Sequence, residues 1–166
     1  FYINGQYTNI TQPTIGFVLS DSDFLDTVKF RIQLADNSSF SSPIIDYTSD
    51  LRAQGTSEFV IGQQAGEGVY TVGAAGQTLS SGNFYWRVLT IDENDNLSSW
   101  TTATGTPAFR VDRNLPTNAS GVSMKAHAAA AAAYTEEDER QWFSRNDLYF
   151  SWNEGTDTEG VKGYCL

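Results

Sequence analysis

The sequence is poor in cysteine and histidine, the side chains that form disulfides and most zinc sites. Its 166 residues include one cysteine, Cys165, and one histidine, His127. A single cysteine excludes a disulfide within the chain, so stability must come from packing, metal or assembly. A lone histidine without Cys or carboxylate partners at ligand spacing does not make a zinc site, and we expect it to be solvent-exposed.

Basic charge and long apolar runs are also scarce. Ten Lys and Arg residues oppose twenty Asp and Glu residues, which gives a formal net charge of −10. Such a surface repels phosphate backbones and anionic lipid head groups, so nucleic acid is not a predicted partner. No stretch approaches the roughly 18 consecutive apolar residues that cross a bilayer, so this segment is not expected to insert directly into a membrane.

Motifs for catalysis are missing as well. The sequence contains no Gly-x-Ser-x-Gly elbow and no phosphate-binding glycine loop. Its carboxylates cluster in turns, whereas acid–base hydrolysis needs two of them held across a cleft. The chain is therefore predicted not to be an enzyme.

What is present is a series of short strand patterns. Residues 28–34 read Val-Lys-Phe-Arg-Ile-Gln-Leu, so one face is apolar and the other polar. Residues 84–91 are rich in aromatic and β-branched side chains, which favour strands. Shorter candidates are residues 14–19, 43–48, 57–61, 69–72 and 108–111, with turn-forming clusters between them. This pattern predicts an all-β antiparallel sandwich.

The character of the chain changes after a linker at residues 112–116. An alanine run covers Ala126 and residues 128–133. It is consistent with a short helix, with a flexible insertion, or with alanines standing in for side chains whose identity was not established. Residues 148–152 then restore the strand alternation.

The end of the chain repeats the spacing of its beginning. Asp23 is followed seven residues later by Phe30, and Asp157 is followed seven residues later by Tyr164. The repeat predicts a tandem array, with one module at residues 10–113 and the start of a second, incomplete one at 114–166. Both ends fall in strand-like segments, so we expect the chain to be a piece of a longer protein.

Residues 79–88, together with Ile91-Asp92, Ser99-Trp100 and residues 109–112, resemble fibronectin type III-like modules. More narrowly, they resemble the fibronectin type III-like or Ig-like repeats of large prokaryotic cell-surface proteins. The resemblance implies an antiparallel sandwich in which residues of the sixth strand pack against Phe30 and Ile32 of the third; these residues are Phe84, Trp86, Val88 and Thr90. The family usually has tyrosine where Phe84 stands.

Acidic residues suggest a calcium site. In the resembling fold, two loops meet at one end of the sandwich. One loop carries Asp21, Asp23 and Asp26, and the other carries Asp92 and Asp95. Ca²⁺ prefers clustered oxygen ligands of this kind, and residues 92–96 also resemble the calcium-binding linker of cadherins. Solvated turn carboxylates are the simpler interpretation, because Asp and Asn favour turns by themselves.

A related calcium hypothesis concerns the joint between the two modules. There Asp157 and Glu159 of the second module are expected to approach Asp112 of the linker. Bound Ca²⁺ would then relieve the repulsion between their carboxylates. Without an ion, Arg113 or Lys162 would neutralise the cluster instead.

The sequence suggests two kinds of contact with glycans, covalent attachment and binding. Four Asn-x-Ser/Thr sequons are candidate glycosylation sites if the chain is secreted: Asn9, Asn37, Asn96 and Asn118. In addition, exposed aromatic rings are typical of sugar-binding modules, and Tyr85, Trp100 and Trp142 are the candidates.

Together these observations favour a non-catalytic extracellular module at a prokaryotic cell surface. We expect a structural or adhesive repeat of a stalk, filament or surface layer. Its expected partners are further repeats of the same protein or neighbouring subunits. The alternative is an accessory or carbohydrate-binding module of a secreted glycan-degrading enzyme.

Overall fold

The computed structural model describes residues 7–23, 25–125, 149–158, 160–161 and 163. The chain divides into two compact units, Phe1–Arg113 and Asn114–Leu166. The alanine run, His127, Trp142, Glu159, Lys162, Tyr164 and Cys165 lie outside the described residues. In the part of the chain that is described, no helix is both long enough and apolar enough to cross a membrane.

The first unit is built almost entirely of strands. The predicted strands are present, with ends displaced by at most two residues, and the two-residue strands β1 and β8 were not expected. A short 3₁₀ turn covers Ala65–Glu67. The strands are β1 Tyr7–Thr8, β2 Thr14–Leu19, β3 Lys29–Ala35, β4 Ile45–Ser49, β5 Gly55–Val60, β6 Gly68–Val72, β7 Gly82–Ile91, β8 Thr101–Thr102 and β9 Phe109–Val111.

These strands form two sheets. The larger has the order β1-β9-β7-β3-β4-β6, with β8 also beside β7, and the smaller consists of β2 and β5. All pairs in this unit are antiparallel except β1 with β9, which run parallel. The all-β prediction is confirmed. Between strands of the predicted module, residues 10–113, every described pair is antiparallel, and the parallel pair involves β1, which precedes that module. β1 runs alongside β9 in the same direction, and most of the first unit lies between these two strands in the sequence.

The strands meet in a single hydrophobic core to which both sheets contribute. Phe30 and Ile32 of β3 and Trp86 and Val88 of β7 belong to one buried cluster, as predicted. The register explains this, because Ile32 lies directly opposite Val88 on the neighbouring strand. Burial of each large apolar side chain contributes roughly 1.5–3 kcal/mol. The rest of the cluster includes Ile15, Leu19, Tyr47, Phe59, Ile61 and Phe109.

The second unit is described in part. Strands β10 (Ser120–Lys125) and β11 (Tyr149–Asn153) pair antiparallel, with an irregularity between Ser120 and Ser123. The sequence pattern predicted β11 but missed β10, whose Ser-Gly-Val-Ser-Met-Lys sequence has little strand character. Beside this pair, the Thr117 amide donates to the carbonyl of Thr156 at 2.8 Å.

Candidate functional site

The two acidic loops of the first unit lie in direct contact. Residues 20–28, which join β2 to β3, meet residues 92–100, which follow β7. Thr27 makes the link, since its amide and its hydroxyl both donate to Oε1 of Glu93, at 3.0 and 2.8 Å. Lys29 makes a second link through its 2.9 Å ion pair with Asp95. The predicted meeting of these loops at one end is therefore present.

The carboxylates at this end influence one another. The pKa of Asp26 is raised, first by partial loss of hydration and then by the negative charges of Asp23, Glu93, Asp21 and Asp92. When Asp26 is ionised, its negative charge is repelled by carboxylates of both loops. This is the electrostatic situation that a bound cation would relieve.

Other acids of this end already have hydrogen-bond partners. Asp92 accepts bonds from the Asn94 amide at 2.9 Å and from the amide and side chain of Asn96, each at 2.7 Å. The Asn96 bonds hold the pKa of Asp92 below its usual range. The bonds from Thr27 likewise lower the pKa of Glu93. Asp92 thus acts as a turn-forming group, in line with the simpler interpretation of the sequence, whereas Glu93 joins its loop to the other one.

Of the seven aspartates predicted as calcium ligands, six lie in the first unit and one in the second. Asp21, Asp23, Asp26, Asp92 and Asp95 belong to the two contacting loops. Asp112 follows Val111, which pairs with Gly82 at the opposite end of β7 from Asp92. Asp157 belongs to the second unit. Among the described residues, no three His, Cys, Asp or Glu side chains form a group that could hold a metal ion. Calcium stays a prediction.

A network of polar side chains lies on the outer face of the larger sheet. Arg31 binds Asp46 at two points, Nε to Oδ1 at 2.8 Å and Nη2 to Oδ2 at 2.6 Å. Gln33 donates to the same Asp46 carboxylate at 2.6 Å. Arg87 of β7 donates to Oε1 of Gln33 from Nε at 2.9 Å and from Nη2 at 2.6 Å. Four side chains thus form one chain of hydrogen bonds across β4, β3 and β7.

Aromatic rings lie against this polar chain. The Arg87 guanidinium carbon lies 4.4 Å from the ring centroid of Trp100 and 4.5 Å from that of Phe40. The Arg31 guanidinium lies 5.9 Å from the Trp100 ring. Contacts of this kind are favourable cation–π interactions. We call Arg31, Gln33, Asp46, Arg87 and Trp100 the arginine ladder.

The ladder was not foreseen from the sequence. The alternation placed Lys29, Arg31 and Gln33 on a polar face, and that is where they lie. What it did not reveal is that Gln33 and Asp46 would be only 7% and 3% exposed. Their burial depends on the register of β3 with β4 and β7, which places Gln33 opposite both Asp46 and Arg87. A single strand pattern carries no information on that register.

The candidate glycan contacts have distinct environments. Trp100 and Tyr85 are half-buried rather than fully exposed, and Trp100 contacts two arginines. Of the sequon asparagines, Asn9, Asn96 and Asn118 are exposed and Asn37 is half-buried. The side-chain amides of Asn37 and Asn96 are bonded to Asp36 and Asp92, respectively.

No protein-family model matches this chain, and no curated protein or solved structure matches it either.

Proposed function

We propose that the chain is a non-catalytic structural or adhesive repeat of an extracellular protein at a prokaryotic cell surface. The observation that carries this proposal is the presence of two successive β units in one chain, of which the first has open strand edges. Units joined in this way suit a stalk, a filament or a surface layer, where repeats space and contact one another.

The outer edge of β6 supports assembly through the sheet. β6 is the last strand of the larger sheet in the described part of the chain, and its Val69 and Val72 are 66% and 38% exposed. An apolar edge with unpaired backbone groups is a template for another strand. Added strands gain their affinity from main-chain hydrogen bonds and their selectivity from alternate side chains.

The second unit supports the same function. Its described strands, β10 and β11, form a single pair. A single pair of strands is marginally stable in water and needs further strands or a packed layer. In the proposed tandem array, further repeats of the same protein or a neighbouring subunit pack against this pair.

The test measures the average mass of the particles that the full chain forms in solution over a wide concentration range. Two matched variants are compared with the parent. Val69→Lys places a charge on the β6 edge, and Leu97→Lys places the same charge at a loop residue that is 63% exposed. We expect the parent and Leu97→Lys to associate as concentration rises and Val69→Lys to associate at least about tenfold more weakly. Equal masses for all three proteins at every concentration would exclude assembly through this edge.

The arginine ladder favours a second candidate, an accessory or carbohydrate-binding module of a secreted glycan-degrading enzyme. Trp100 offers an aromatic ring on a sheet face next to charged and amide groups, a combination that binds sugars through stacking and hydrogen bonds. Titration with soluble oligosaccharides, with Trp100→Ala as the control variant, separates the candidates. Saturable binding that this substitution abolishes would favour the second one.

A further inference from the structure

A groove lies along one side of the first unit, between the two sheets. It has a volume of about 280 Å³ and is bounded by β2 on one side and by β7 and β8 on the other. Among the described residues its walls carry no charged side chain, and they include Phe17, Val18, Trp86, Val88 and Thr101. A segment that binds between such walls must itself be uncharged, because a charge buried there would lose its hydration.

Hydrogen-bonding groups at the groove lack partners in the part of the chain that the structure describes. β2 pairs there with β5 alone, so no strand lies beside its other edge. Trp86, which lines the groove, is only 9% exposed, and its indole Nε1 has no hydrogen-bond partner among the described residues. Buried donors normally find an acceptor. Both observations point to a further strand beside β2.

β6 offers an edge of matching character. It is the last strand of the larger sheet in the described part of the chain. Val69 and Val72 lie on its outer face, the face of Asp46, which is opposite Val72. These two valines are 66% and 38% exposed, whereas Tyr70 between them packs against the hydrophobic core. The face of β6 that is open to a partner therefore carries two valines.

The open edges of β2 and β6 lie on opposite sides of the sandwich. Phe17 of β2 packs beside Trp86 of β7, with ring centroids 6.3 Å apart. Phe59 of β5 packs beside Tyr70 of β6, with ring centroids 6.5 Å apart. The smaller sheet thus runs from β2 over β7 to β5 over β6, and the two open edges face away from each other. One copy cannot pair them with each other, but two copies can.

We propose that the β6 edge of one copy of this chain binds in the groove of a second copy, beside β2. The inference rests on the proposed function and identifies the surface that receives the β6 edge. Strands β2 and β6 carry no charged residue, whereas two chains of net charge −10 repel each other over most of their surfaces. β5, the other strand of the smaller sheet, carries the exposed Glu58, and a charge of this kind protects a strand edge against pairing.

The outer face of β6 meets the groove in this contact, because its inner face is already covered by its own core. Val69 and Val72 then pack against Trp86 and Val88 of the receiving copy, and a backbone carbonyl of the incoming strand accepts the bond of the indole N–H. Each copy contributes one edge and receives a different one. The contact therefore does not close on itself and extends into a linear array.

A matched pair of substitutions in the full chain tests the receiving surface. Thr101 lies opposite Val88 and lines the groove. Thr102 lies opposite Arg87 on the outer face, and both threonines are exposed. We expect Thr101→Lys to associate at least about tenfold more weakly than the parent, because it places a charge in the groove, and Thr102→Lys to associate like the parent. Equal association of the three proteins would overturn the proposal.

A mixture of two blocked variants tests the head-to-tail pairing. Val69→Lys lacks a working β6 edge but keeps its groove, and Thr101→Lys lacks a working groove but keeps its β6 edge. Each variant alone should stay monomeric at concentrations at which the parent forms larger particles. An equimolar mixture should form a dimer with one copy of each variant and nothing larger, which also shows that both variants are folded. A mixture that stays monomeric where the parent associates would overturn the proposal.

The measured masses also separate this proposal from the proposed function. If the parent and Thr101→Lys associate equally while Val69→Lys does not, copies assemble through β6 without the groove, and only the groove proposal is wrong. If the parent is monomeric at every concentration, assembly through β6 and binding in the groove are both wrong. A dimer that forms only when Val69→Lys and Thr101→Lys are mixed supports both.

Discussion

Arg31 and Asp46 form a two-point ion pair in which the aspartate side chain is 5% exposed and the arginine side chain 37% exposed. On folding, both groups lose hydrating water and gain two direct hydrogen bonds to each other. Because the Asp46 carboxylate is buried, water cannot replace Arg31 if that side chain is lost. The pair therefore holds β3 and β4 in register at the point where the arginine ladder begins.

Loss of the Asp46 charge should destabilise the first unit. Asp46→Asn leaves Arg31 without its carboxylate, and because Arg31 is partly solvated we expect a cost of about 1.5–3 kcal/mol in the free energy of unfolding. Asp50→Asn is the control, since Asp50 is exposed and the bond from its backbone amide to the Glu67 carbonyl does not involve the substituted side chain. Urea unfolding of both variants measures the difference, and an equal loss in the two would contradict the role given to Asp46.

The contribution of Asp46 should also depend on pH. Burial by itself would raise its pKa, but the bonds from Arg31 and Gln33 outweigh burial and hold the pKa below its usual range. A carboxyl with a lower pKa in the folded state stabilises the fold fully above its unfolded pKa of about 3.9 and loses this contribution as pH falls toward the folded pKa. The stability difference between parent and Asp46→Asn should be constant from pH 5 to 7 and shrink below about pH 4. A difference that grows as pH falls would have the wrong sign.

The Asp26 carboxylate, unlike that of Asp46, should destabilise the folded chain at neutral pH. Its pKa is raised by lost hydration and by neighbouring acids, so ionisation opposes folding as pH rises above the ordinary aspartate value. Asp26→Asn should therefore raise Tm at pH 7 and leave it nearly unchanged near pH 3. Thermal melts at the two pH values measure this, and a lower Tm for Asp26→Asn at pH 7 would show that the carboxylate has a stabilising partner.

Calcium can be tested at both predicted places in one experiment. If the acidic loops or the linker bind Ca²⁺, the ion raises Tm of the full chain relative to chelator by mass action. Asp26→Asn should remove that shift if the ion binds at the loops, and Asp112→Asn or Asp157→Asn should remove it if the ion binds at the joint. Identical melts with calcium and with chelator would exclude both.

Truncation of Trp86, which lies in the core, should lower the free energy of unfolding more than the loss of the Asp46 charge does. Trp86→Ala removes an aromatic side chain that is 9% exposed and packs beside Phe17, with ring centroids 6.3 Å apart. Truncation of buried large aromatics costs about 3–5 kcal/mol. A variant that melts within one or two degrees of the parent would contradict this placement.

The sequence predicted which face of a strand is buried wherever apolar and polar residues alternate. It did not predict how neighbouring strands align. Residues 28–34 and 84–91 predicted their own faces, and Phe30 and Trp86 lie in the core that those faces form. The burial of Gln33 and Asp46 could not be predicted, since it follows from the alignment of three strands. β1 was also missed, because two residues are too short for a pattern.

The acidic residues show the same limit. Their clustering in turns and the contact between the two loops were predictable. Which carboxylates would be held by neighbours was not, because the bonds of Asp92 to Asn96 and of Glu93 to Thr27 depend on how each loop closes. The tandem array inferred from the repeated spacing after Asp23 and Asp157 stays a prediction. β10 could not be predicted, because its composition does not favour a strand.

The most direct measurement of the central claim is electron microscopy of the full chain at high concentration, in the absence of any polysaccharide. A structural repeat that joins its neighbours predicts linear particles or sheets with a regular spacing, which Val69→Lys shortens or abolishes and Leu97→Lys preserves. A field of separate single-chain particles at every concentration, from a protein that binds soluble oligosaccharide through Trp100, would contradict the account.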